Sequence, residues 1–239
     1  MSDRGSEPAE IHQHSGWLIP LGLALVVLVL CGAFLLYDLR PGAGLFRNAA
    51  PTADVSAIRL SIRGVAFTIP GNYLDSRSSR RGGDLDVIAL SALLPDMRGY
   101  SAGDAALFPS NAADSPVVHL ILRGDTNSLT AADRLARIYQ PYVTDPNGAA
   151  APFGLTRYTF HDGTGYERND LYVAQGGNGP LLLLCERPAQ DLPSPNCLAI
   201  DRTVATGVTL SYRFKLAQLS GWQSIATGVD RLVNGFMKH

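Results

Sequence analysis

Two cysteines, Cys185 and Cys197, bracket a short loop that holds Pro188, Pro193 and Pro195. The flanking runs Leu181-Leu-Leu-Leu-Cys185 and Cys197-Leu-Ala-Ile-Asp-Arg202 are both strand-like. A hairpin made from them brings both Cα atoms to its neck, where a disulfide forms if they lie about 4.4–6.8 Å apart. Closing a loop of this size is worth roughly 3 kcal/mol on the chain-entropy estimate. Two alternatives stand beside the bridge. Free cysteines pack as small hydrophobes, and a metal site is conceivable, although two thiolates without a nearby histidine make an incomplete zinc set. A bridge places the domain outside the cytosol, where disulfides persist.

A second feature bears on location. From Trp17 to Tyr37 no residue is charged. At about 1.5 Å per residue the run reaches roughly 31 Å, the thickness of a bilayer core, and it predicts a transmembrane helix over 17–37. Trp17 and Tyr37 take the place of interfacial anchors. The apolar run is longer than a signal-peptide core, and Leu30 occupies the position where a lipoprotein processing site before Cys31 needs a small residue. The expectation is an uncleaved, single-pass anchor.

Orientation signals disagree. The amino-terminal tail carries Arg4, and the opposite flank carries Arg40 and Arg47. That small excess of basic residues favours a cytoplasmic carboxyl side, whereas the cysteine pair favours an oxidising one. Weighting the cysteines gives a cytoplasmic tail over 1–16, a span in the inner membrane, a juxtamembrane linker over 38–53 and a periplasmic domain over 54–239.

Within that domain, Ile58, Leu60 and Ile62 alternate with Arg59, Ser61 and Arg63, the pattern of a strand with one wet and one dry face. Val65, Phe67 and Ile69 repeat it, and Arg63-Gly64 predicts a tight turn between the two. Leu85 to Leu94 and Val117 to Leu122 are continuously apolar and fit central strands. Leu155–Phe160, Leu171–Ala174 and Pro180–Cys185 carry fainter strand signals, with Asn178-Gly179 as a turn. Val208 to Lys215 alternates cleanly. Thr130, with Asp133, caps a first helix whose stripe is Leu135, Ile138, Tyr139 and Tyr142, with Pro141 set to end it early. Ser220, with Gln223, caps a second helix, on which Trp222, Ile225, Val229, Leu232, Val233 and Phe236 recur at helical spacing. That stripe is read as core, with a partner-binding face as the alternative. The expected class is α+β: one mainly antiparallel sheet with two helices packed on one face.

Signals for chemistry are sparse. The net charge of −1 gives no argument for nucleic acid. His119 lies inside a strand and His161 in a turn, and neither sits at zinc-ligand spacing from a second histidine or a cysteine. A nucleophile elbow and a phosphate cradle are both missing from the sequence. No cofactor, metal or catalytic residue is expected. The unusual polar stretch is Asp75-Ser-Arg-Ser-Ser-Arg-Arg-Gly-Gly-Asp84, where Arg77, Arg80 and Arg81 could present guanidinium forks to an anion or a lipid headgroup. The competing view is a solvated loop whose arginines pair with Asp75, Asp84 and Asp86.

Ile69-Pro-Gly-Asn-Tyr-Leu74, Arg80-Arg-Gly-Gly-Asp84, Leu94-Pro-Asp-Met-Arg-Gly-Tyr-Ser101, Ala132-Asp-Arg-Leu135 and the Cys185/Cys197 pair resemble an uncharacterised family of single-span bacterial envelope proteins. The resemblance implies an architecture and no activity. The expected function is therefore a membrane-tethered, non-enzymatic domain that binds or supports another envelope protein, with the bilayer and that protein as partners. An anion-binding module is the alternative, and an envelope hydrolase the third.

Overall fold

The computed structural model describes residues 18–38, 51–125, 129–175 and 179–237. The chain divides into two compact units, Met1–Arg47 and Asn48–His239.

The first unit contains helix α1, Leu18–Asp38. Among the described residues no helix is long and apolar enough to cross a membrane. This overturns the transmembrane helix expected over 17–37. Trp17 and the side chain of Tyr37, the expected interfacial anchors, lie outside the described residues. The tail over 1–16 and linker residues 39–50 also lie outside them.

The second unit is an α+β fold with two sheets. Strands β1 (Ala57–Ile62) and β2 (Val65–Pro70) form the expected hairpin. Arg63 and Gly64 both have positive φ, 48° and 80°, the backbone a two-residue turn needs to follow the strands' twist. A two-residue strand β3 (Gly83–Asp84) joins β1 in parallel.

The larger sheet is antiparallel throughout. Its strands are β4 (Val87–Leu93), β5 (Val117–Gly124), β6 (Ala149–Ala151), β7 (Leu155–Thr159), β8 (Asn169–Ala174), β9 (Leu181–Glu186), β10 (Asn196–Ala205) and β11 (Val208–Lys215). They run in the order β4-β5-β11-β10-β9-β8-β7-β6. Thus β4, expected in the centre, is an edge strand. Its apolar character follows from a cover: Leu74 bridges to Leu90, and the Asp75 N–H donates to the Ala89 carbonyl, so irregular chain shields the edge. Asn178, the expected turn residue between β8 and β9, lies outside the described residues.

Helix α3 (Trp222–Met237) lies on one face of this sheet. It buries Ile225, Val229, Val233 and Phe236 in a core shared with Leu60, Phe67 and Ile69 of the small sheet and Ile88, Leu120, Leu210 and Phe214 of the large one. This is the helical stripe read as core. The chain enters α3 through a 3-10 turn, Leu216–Gly221, which contains Ser220, the residue expected to cap the helix.

The first helix is reduced to α2, Ala131–Arg134, followed by a π-helical turn, Leu135–Tyr139, and a 3-10 turn containing Pro141. Thr130 caps it as expected, accepting from the Asp133 N–H at 3.0 Å. Tyr139 packs with Phe160, Leu171, Val173, Leu182 and Ile200 in a second, separate core. Because side chains alternate across a strand, Leu171 and Leu182 point away from the core that α3 covers. The two helical segments therefore lie on opposite faces of the sheet, which corrects the expectation that both pack on one. Helical periodicity specifies an apolar stripe and leaves open which face of a sheet receives it.

Candidate functional site

Register across the large sheet sets out one row of side chains on the face opposite α3. Ser91 pairs with His119, His119 with Arg213, Arg213 with Leu198, Leu198 with Leu184, and Leu184 with Leu171. Directly opposed residues in an antiparallel ladder share a face. At one end of the row Leu171 is buried beneath the Tyr139 layer. Towards the middle the cover stops, and Leu198, on an interior strand, is 39% exposed. A recess of about 420 Å³ opens here, lined by Ile121, Leu184 and Leu198 together with His119, Asn196, Glu186 and Arg213.

A smaller polar recess of about 70 Å³ continues from it, sharing His119, Asn196 and Arg213 and adding Asn111, Ser115 and Lys215. Lys215 is only 6% exposed. Its Nζ donates to Asn111 Oδ1 at 2.6 Å and to the Ser194 carbonyl at 3.3 Å. Burial, with Arg213 nearby, holds its pKa below the usual lysine value, and Glu186 pulls the other way. Glu186 is itself engaged, its Oε2 accepting from Asn196 N at 2.7 Å and Asn196 Nδ2 at 3.0 Å.

His119 faces this recess from β5. Its Nδ1 lies 3.0 Å from Ser91 Oγ, and the Ser91 hydroxyl also bonds the Asp75 carboxyl. Burial lowers the His119 pKa, Arg213 and Lys215 lower it further, and Asp75 opposes them. Burial raises the Asp75 pKa against the Ser91 hydrogen bond and the nearby His119 and Arg80. Histidine, serine and carboxylate do come together here, but in the wrong order for a hydrolase. A catalytic triad puts histidine between the carboxylate and an open serine. Here serine is in the middle, 5% exposed and bonded from both sides. His161, by contrast, is exposed, and its carbonyl accepts from the Thr164 hydroxyl.

The three arginines of the polar stretch do not act alike. Arg80 is partly buried, and its Nη1 donates to the Leu74 carbonyl at 2.6 Å, tying the 3-10 turn Ser79–Arg81 to the chain that covers β4. Arg77 and Arg81 are exposed. The glycines that follow serve the backbone: Gly82 has φ 78°, and a Cβ there would lie 2.8 Å from the Arg59 carbonyl oxygen.

Cys185 and Cys197 form the expected disulfide, with Cα atoms 4.0 Å apart, closer than the expected range, because they are directly paired in the β9–β10 ladder. Among the described residues no cluster of three metal-ligating side chains occurs. A wider groove of about 890 Å³ runs between α3, β2 and the Pro95–Met97 turn, with Asp96 and Arg231 as the charged groups in its lining.

Sequence reasoning singled out His119 and the disulfide, and it passed over Arg213, Lys215, Leu198 and Glu186. Alternation along Val208–Lys215 marked Arg213 and Lys215 as one face of a strand. What was missing was the partner strand that sets them beside His119 and Leu198.

Among solved structures the fold is similar to that of Smlt3025, an immunity protein of the Stenotrophomonas maltophilia type IV secretion system. The TM-score is 0.53 at 15% identity, covering 76% of this chain and 93% of that one. The iron-regulated outer membrane lipoprotein FrpD of Neisseria meningitidis matches with a TM-score of 0.49 at 18% identity, covering 81% of this chain and 98% of that one. At such identities the likeness is one of fold. No family model and no curated protein matches the sequence.

Proposed function

We propose that the α+β unit is a non-catalytic module that binds or supports another protein in an oxidising compartment of the cell envelope. The observation that carries this is the uncovered middle of the large sheet, where Leu198 stands exposed between Leu184 and Arg213 on interior strands. A face of mixed apolar and charged groups at the centre of a sheet is suited to a partner's surface. The disulfide supports the compartment. The doubly bonded, buried Ser91 hydroxyl favours binding over serine hydrolysis. The fold shared with an immunity protein of a secretion system supports an encounter with another protein.

The test is site-specific photo-crosslinking from Leu198 in the full chain, in producing cells, with exposed Val55 as the control position. A discrete protein adduct from Leu198 that is missing from Val55 is the expected result. No adduct, or the same adducts from both positions, would remove the proposal.

A further inference from the structure

The recess on the open sheet face sets apolar and charged side chains next to one another, and their chemistry defines what fits there. Ile121, Leu184 and Leu198 present aliphatic surface. Arg213, paired with Leu198 in the β10–β11 ladder, and Lys215, in the adjoining polar recess, bring two positive charges. Arg213 is exposed and belongs to none of the ion pairs among the described residues. The bonded acceptors of Lys215 are a neutral amide and a carbonyl, which leave one of its three ammonium N–H groups for another acceptor. Glu186 offsets the pair in part, but two of its accepting directions are taken up by Asn196. A cation this enclosed is costly unless an anion or strong acceptor meets it. The small recess, at about 70 Å³, has room for roughly two waters or one carboxylate group.

Resting on the protein-binding reading above, we propose that the partner presents an acidic side chain flanked by an apolar residue. The carboxylate enters beside Arg213, Lys215 and His119, and the apolar neighbour lies on Leu198, Leu184 and Ile121. Arg213 supplies the guanidinium fork, which suits a carboxylate in two-point contact. His119, whose Nδ1–H is held by Ser91, has its Nε2 lone pair left to accept from a backbone N–H of the incoming segment.

The experiment uses the full chain and two blocked pentapeptides, acetyl-Val-Leu-Glu-Leu-Val-amide and the same peptide with glutamine at its centre. Methyl and imidazole resonances of the protein are followed by NMR. The glutamate peptide should shift Ile121, Leu184, Leu198 and His119 and bind about tenfold tighter than its glutamine counterpart, the effect of one charge-assisted pair. Arg213→Gln should abolish that difference while leaving the methyl signals of the α3-side core in place, which checks folding. Equal affinities for the two peptides, or shifts centred elsewhere, would overturn the proposal. If the Leu198 adducts form and are undiminished by Arg213→Gln, the acidic specificity falls and the protein-binding reading stands. If no Leu198 adduct forms, that reading falls and takes this one with it.

Discussion

Ser91 Oγ sits 3.0 Å from His119 Nδ1 and bonds the Asp75 carboxyl on its other side, so one buried hydroxyl links an imidazole to a carboxyl across the β4 edge. A hydroxyl has one proton to give. With Asp75 ionised, Ser91 donates to it and accepts from Nδ1–H, which fixes the neutral histidine tautomer. The link joins the covering chain before β4 to the open sheet face.

This arrangement makes stability sensitive to acid. Burial holds the His119 pKa below its usual 6.5, so the unfolded chain takes up the proton more readily than the folded one. Stability should fall as pH drops from about 6.5 through the lower folded value. Asp75 works in the opposite sense: burial lifts its folded pKa above the ordinary 3.8, so its contribution is most favourable below that pH and is lost as pH rises through the folded value. His119→Gln should therefore lose less melting temperature than the wild type between about pH 7.5 and pH 5. Identical slopes for the two proteins would contradict this.

The disulfide lies within a paired ladder, so removing it should weaken the fold without rearranging the strands. Cys197→Ser is expected to cost about 2–4 kcal/mol in denaturant unfolding. Wild-type protein measured in reductant should match the variant. A reduced wild type as stable as the oxidised form would refute the prediction.

Gly82 cannot readily become alanine. Its φ of 78° and the 2.8 Å approach to the Arg59 carbonyl predict a loss of roughly 1–3 kcal/mol for Gly82→Ala. Arg81→Ala, at the exposed neighbour, should change stability by no more than about 0.5 kcal/mol. Equal effects in chemical denaturation would show that the turn is not held as described.

Phe236 fastens α3 to the small sheet side of the core, with its ring 5.3 Å from that of Tyr73 in an edge-to-face contact. It is 6% exposed. Phe236→Ala should cost about 3–5 kcal/mol, and Phe236→Leu considerably less, because it leaves a smaller cavity. Calorimetry on the pair would reveal a peripheral helix if the two variants behaved alike.

Local patterns in the sequence carried much of the sheet. The β1–β2 hairpin, β11 and the neck of the cysteine loop were legible because alternation and turn chemistry act over a few residues. The shortest strands were not. Nothing about Gly83-Asp84 or Ala149–Ala151 marks a strand, since their pairing depends on partners remote in the chain. β4 looked central because its apolar content reflects a cover supplied by Leu74 and Asp75, which are not in a strand themselves. The apolar run after Trp17 matched a bilayer by length and composition, whereas among the described residues no helix is long and apolar enough to cross one. At the candidate site, alternation marked Lys215 only as the last residue of a strand. Its burial comes from Asn111, 104 residues earlier, and from Ser194 across the cysteine loop. Contacts of such range leave no local pattern to read.

Because Cys185 and Cys197 clamp opposite ends of the proline-bearing arm, a protease cutting anywhere between them would leave its two products in one covalent piece. The nick would escape notice on a gel until a thiol was added. The arm can therefore suffer cleavage in a harsh environment while the strands on either side keep their places.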